Sequence, residues 1–188
     1  EAIPGIDRRA VEVRTLDTPY AFAAPADAEA WRARARFLRE QVLVSAGLWP
    51  LPEKHPLHAH VFGRVERGDY SVEKVYFESH PGFYVTGNLY RPLGKAGPFP
   101  GVLSPHGHWD YGRLENGADG SIPARCITLA RQGYVVFSYD MVGYNDSRQV
   151  DHRLLDPRLA QWRIGSLGLH LWNSIRSVDF LEAVPDVD

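Results

Sequence analysis

The sequence is short of several things at once. It has one cysteine, Cys126, in 188 residues, so no intrachain disulfide framework is available to it. No apolar run approaches the ~20 residues that a bilayer-crossing helix needs, and no membrane span is expected. Neither sign of charge dominates: 21 Lys+Arg against 23 Asp+Glu leave a net charge of -2. That balance removes the basic footprint of a general nucleic-acid binder. Neither a Gly-x-Gly-x-x-Gly run nor a phosphate loop occurs, so a nucleotide cofactor has no support. What is present, 44% hydrophobic and 23% charged residues, suits about one globular domain of ordinary make-up. No internal repeat or low-complexity stretch interrupts it.

Along the chain, residues 1 to about 25 lack sustained periodicity and are broken by Pro4, Gly5, Pro19 and Pro25, which predicts an arm. Asp27 then offers a helix cap, Trp31, Ala35, Leu38 and Val42 recur at helical spacing, and Gly47 supplies a stop. Arg32, Arg34, Arg36 and Arg39 on this helix read as a solvated face. Residues 48–68, rich in proline and glycine, read as a connecting loop. Residues 1–68 are thus expected to form an arm, helix and linker ahead of a domain at 69–188.

From Tyr70 the texture changes. Val72, Val75 and Phe77 stand among polar residues, as in a strand with one face exposed, His80-Pro81-Gly82 turns, and Phe83–Tyr90 pairs back as a hairpin. Gly101–Ser104 and Tyr134–Tyr139 are short apolar runs of the kind buried on both faces. Between them Ser121 caps a helix with Ile122, Cys126, Leu129 and Ala130 on one face, stopped by Gly133. A last helix carries Leu167, Leu171, Ile175, Val178 and Leu181 as its expected inward stripe before Pro185. An antiparallel hairpin followed by strand–helix–strand–helix predicts an α/β sheet with right-handed crossovers.

In such sheets, chemistry collects in loops leaving the carboxyl ends of strands. The first is Ser104-Pro105-His106-Gly107-His108-Trp109, where Gly107 frees the backbone and the His108 N–H is the best candidate for holding a developing oxyanion. The bland alternative is a tight strand exit whose histidines bond nearby backbone. The second is Asp140-Met141-Val142-Gly143-Tyr144-Asn145-Asp146-Ser147, a candidate pocket wall. A carboxylate closing a strand more often binds loop amides than acts as an acid, so Asp140 is weighed towards structure. His55, His58 and His60, and the pair His106 and His108, have metal-ligand character. The first three, however, sit in a proline-broken segment with no carboxylate placed beside them, and 188 residues are too few for the eightfold barrel in which a His-x-His after a strand binds metal. No metal is assigned.

Together these pieces carry a likeness. Val72–Ser79, Pro81–Tyr90, Pro100–His108, Leu129–Val136, Tyr139-Asp140 with its Gly143 loop, and Ser177–Leu181 leading to Pro185–Asp188 resemble, in order and spacing, α/β-hydrolases of the acetyl xylan esterase and dienelactone hydrolase kind. The resemblance covers roughly the last 120 residues, with the helix and arm before them added. It implies a serine carboxylic-ester hydrolase acting on an acetylated carbohydrate or similar small ester, without a cofactor, and often exported. By the same likeness His108 is the oxyanion residue, while His106, Gly107, Trp109, Asp140, Gly143 and Tyr144 line the substrate pocket.

The departure from the family pattern is as informative. Gly-x-Ser-x-Gly, the turn that presents the nucleophile, is absent. Gly165-Ser166-Leu167-Gly168 has the wrong spacing and opens a helix. His106, His108, His152 and His170 all precede the place where that serine belongs, so none is carried over as the base. The expectation is the front portion of an esterase scaffold, inactive by itself, with Gly101–Ser104 left as an apolar sheet edge and a complementing C-terminal half as its partner. The competing reading is a non-catalytic module that binds carbohydrate or a partner chain through Trp109, Tyr111, Tyr144 and Trp162. A metal-dependent hydrolase comes third.

Overall fold

The computed structural model describes residues 13, 15–19, 21–153, 156–161 and 165–188. They fall into two compact units, one ending at Arg39 and the other formed by Glu40–Asp188. Helix α1 (Ala28–Ser45) begins where Asp27 Oδ1 accepts the Ala30 N–H at 2.8 Å, the expected cap. No residue of α1 is buried.

The second unit is built on a five-stranded sheet. Its strands are β1 (His60–Arg67), β2 (Tyr70–His80), β3 (Phe83–Pro92), β4 (Gly101–Leu103) and β7 (Val135–Tyr139), in the order β1-β2-β3-β7-β4. β1, β2, β3 and β7 pair antiparallel, and β4 pairs parallel with β7. The short pair β5 (Asn116–Gly117) and β6 (Gly120–Ser121) leads into helix α2 (Ile122–Gln132). Helices α3 (Pro157–Gln161) and α4 (Ser166–Glu182) follow β7.

Local signals explain most of these elements. Ser121 accepts the Ala124 N–H at 3.1 Å and Gly133 closes α2 at φ 106°, a left-handed stop that favours glycine. Ile122, Cys126 and Ala130 are buried against Tyr90 and Val136 on one face of the sheet. On the other face Phe77, Val85, Leu89, Phe137, Phe180 and Leu181 form the main core, with Phe77 and Phe180 stacked at 5.3 Å.

Two expectations change. Residues 60–67 form a strand, not a connecting loop: β1 adds to β2 while all its residues stay exposed, so no alternation of burial marked it in the sequence. The stripe expected on α4 holds in part. Leu181 is buried and Leu171 and Ile175 pack half-buried against Trp172, but Leu167 and Val178 are 63% and 42% exposed, and Trp172, Asn173, Arg176, Ser177 and Phe180 are buried instead. Trp172 wins the inward position because it fills the space beside Ala46 and Leu48 and donates its indole N–H to Ser79 O at 2.8 Å.

The sheet's two edges differ. β1 carries Arg64, Glu66 and Arg67, and a register shift between Phe62 and Val65 with Gly63 at φ +65°. Charges and a bulge are what blunt an edge. β4 has only Gly101, Val102 and Leu103, and beside it runs a groove of about 480 Å³ lined by Gly101, Leu103, Val178, Leu181 and Val187 among others. Residues 186–188 already lie along that side. Val187 forms a parallel bridge with Phe99, Phe99 N donates to Asp186 O at 2.8 Å, and Asp188 N donates to Phe99 O at 2.9 Å.

Candidate active site

The loops after β4 and β7 meet at the carboxyl end of this parallel pair. His106 ties them together. It is 5% exposed, and its Nε2 accepts the Met141 N–H at 3.1 Å, which leaves the proton on Nδ1 to donate to Gly107 O at 2.7 Å. Burial lowers its pKa, keeping the ring neutral. Both nitrogens are therefore used inside the protein, and the role foreseen for His106 against a substrate becomes one of joining the loops.

Asp140 is likewise an anchor, held chiefly by side chains rather than by the loop amides expected. It is fully buried; Oδ2 accepts from Thr86 Oγ1 at 2.7 Å and from Arg113 Nη1, and Oδ1 accepts from Asn145 Nδ2 at 2.7 Å. Arg113, 7% exposed, gives its Nε–H to Asn88 Oδ1 and its Nη2–H to Asp146 Oδ2, both at 2.7 Å. The guanidinium fork thus binds three acceptors, one from the middle of β3 and two from the loop after β7, the geometry for which arginine is suited. Sequence reasoning passed over Arg113 because no motif surrounds it; its only signal is an arginine within a short glycine-rich loop.

The glycines have distinct reasons. A Cβ on Gly107 would lie 2.9 Å from Trp109 Nε1, so its absence lets the indole fold back on the loop; the freedom expected of its dihedrals is not what is used. Gly143 does need left-handed backbone, at φ +85°, and a Cβ there would collide with the His152 backbone. That close approach carries His152 into the site.

His108 stays exposed, and its N–H donates to no acceptor among the described residues. Its ring contacts His152, with centroids 5.0 Å apart. His152 in turn touches Tyr144 at 4.8 Å and His170, from α4, at 5.2 Å, while Tyr144 packs edge-on to His106 at 5.0 Å. His152 and His170, left aside as catalytic bases by their place in the sequence, are brought in by the fold. Trp109 and Tyr111 remain 37% and 68% exposed, and Trp162 lies outside the described residues. Among the described residues no group of three His, Cys, Asp or Glu is arranged to hold a metal, and no helix is long and apolar enough to cross a membrane.

This sheet order, with one parallel pair flanked by helices and loops meeting at its carboxyl end, matches part of an α/β-hydrolase fold. Similar solved structures include several esterases. A methylesterase, BT1017, superposes with a TM-score of 0.68 at 28% identity, over 87% of this chain and 35% of that one. A Bacteroides fragilis protein assigned as an acetyl xylan esterase gives 0.69 at 14% identity, over 89% and 47%. The glucuronoyl esterase from Solibacter usitatus gives 0.55 at 16%, over 90% and 56%. The chain therefore spans about a third to a little over half the length of these structures. No protein-family profile matches the chain, and no curated protein does.

Proposed function

We propose that these residues form the oxyanion-binding and pocket-forming part of a serine-type carboxylic-ester hydrolase, acting on an acetylated carbohydrate or a similar small ester. The observation that carries the reading is the His108 N–H, free of any acceptor among the described residues at the carboxyl end of β4. A backbone donor fixed there costs no reorganisation when negative charge develops on the substrate oxygen. The His106 tie and the Asp140–Arg113 anchor hold the loop that carries it. Trp109, Gly143 and Tyr144 complete the wall.

The nucleophile, acid and base come from outside residues 1–188, which contain no Gly-x-Ser-x-Gly. Residues 186–188 run parallel to the segment entering β4, on the side where the sheet edge is open to a further parallel strand. The 188 residues alone are thus expected to show no serine-type turnover of p-nitrophenyl acetate and no labelling by a fluorophosphonate. DNA beyond codon 188, or a complementing polypeptide, should supply that motif and restore both. In the active protein His108→Pro, which deletes the N–H, should lower kcat by about a hundred- to a thousandfold, while His108→Ala, which keeps it, should cost far less. Equal effects of the two variants would remove the oxyanion role. Saturable binding of acetylated xylan with no hydrolysis by the complete assembly would replace the esterase with a carbohydrate-binding module.

A further inference from the structure

The imidazole cluster beside the His108 amide has more hydrogen-bonding capacity than the protein uses. His152 donates from Nδ1 to Val142 O at 2.9 Å, leaving Nε2 uncommitted by that bond. His170 Nε2 is buried with no partner among the described residues. Asn173, three positions on and so on the same face of α4, is 2% exposed with both amide atoms equally unpartnered. A polar atom removed from water without a replacement partner costs free energy that a bound group would recover.

Counter-charge is missing too. Titratable and charged groups around the cluster include His106 and His108 from the loop after β4, Arg113, and Asp140, Tyr144, Asp146, Asp151, His152 and Arg153 from the loop after β7, with His170 from α4. Asp140 and Asp146 are taken by Arg113, and Asp151 accepts the Arg153 N–H at 2.8 Å. No carboxylate of the protein is hydrogen-bonded to His108, His152 or His170 among the described residues. Burial, and then repulsion from His152, His108 and His106, pushes the His170 pKa down to about 4.

We propose that His108, His152 and His170, with Asn173, form a proton-linked binding site for a carboxylate. The incoming anion supplies the absent charge, so imidazole protonation becomes favourable as it binds. Nothing covalent changes: one proton moves from solvent to a ring nitrogen, and the resulting N–H donates to a carboxylate oxygen. Resting on the esterase reading, the natural occupant is the acid product, since hydrolysis of an ester by water gives a carboxylate, an alcohol and a proton together. Product would then be retained more strongly as the medium acidifies.

The test needs no ester, so its outcome is separate from that of the esterase reading. Histidine Cε1–H signals of the full chain are followed by NMR while sodium acetate replaces sodium chloride at constant ionic strength. Saturable shifts of the His152 and His170 signals are expected at about pH 5, with affinity at least about tenfold weaker at about pH 8. His152→Gln and His170→Gln should each weaken acetate about tenfold or more, whereas His58→Gln, whose imidazole pairs with Glu78 elsewhere, should leave it unchanged. Shifts no larger than chloride's, equal affinity at both pH values, or indifference to both cluster variants would each overturn the proposal. His152 lies in a loop, so its variant answers the question should His170→Gln fail to fold.

Discussion

Two polar clusters sit at the same end of the sheet and share the same loops, yet they are finished to different degrees. Around Asp140 and Arg113 the hydrogen-bonding groups meet partners: Thr86, Asn145, Asn88 and Asp146 close the network. Around His108, His152 and His170 rings meet rings, and buried polar atoms on α4 are left over. The difference separates a foundation from a site. A satisfied network rigidifies the backbone that carries it, while an unsatisfied one keeps free energy available for a ligand.

The largest effect should come from breaking the finished cluster. Asp140→Ala leaves the Arg113 guanidinium buried without its main counter-charge, and stability to urea should fall by about 3–5 kcal/mol. Replacing both partners, Asp140→Asn with Arg113→Met, should recover a good part of that loss; failure to recover it would mean the pair is not the anchor. Thr86→Val removes one hydrogen bond to the same carboxylate and should cost about 1–3 kcal/mol.

Acid should act on the other cluster. The His170 pKa is depressed in the folded protein to about 4 from a usual 6.5, so the unfolded chain binds the proton first. The neutral ring's contribution is complete above about 6.5 and is lost as pH falls towards about 4. Unfolding midpoints should decline across that window, His170→Phe should flatten the decline, and acetate should oppose it. The smallest change belongs to the closed edge of the sheet: Arg64→Ala, whose ion pair with Glu66 is exposed, should alter stability by no more than about 0.5 kcal/mol. Leu103→Lys on the open edge, at a half-buried side chain packed against the main core, should cost more than that and should block restoration of activity by a complementing strand.

Much was legible along the chain. Ser121 and Gly133 marked α2 to within a residue, and the apolar runs at Gly101 and Val135 marked the parallel pair. β1 was not legible, because a strand exposed on both faces has no pattern of burial to display. The inward face of α4 was partly legible: Leu171, Ile175 and Leu181 face inward as their spacing predicts, but leucine spacing does not reveal that Trp172 takes the buried position beside Ala46 and Leu48.

The candidate site divides along the same line. The His108 loop and the Asp140 loop were recognisable because each follows an apolar strand, and strand exits are where such sheets expose backbone. Arg113 reaching Asp140, 27 residues away, and His152 meeting both His108 and His170 had no local signature. Caps, turns and alternation act over a few neighbours and are written in the sequence. Which distant side chains come within a few ångströms depends on crossover direction, strand order and the close approach that Gly143 permits, and only the folded chain settles those.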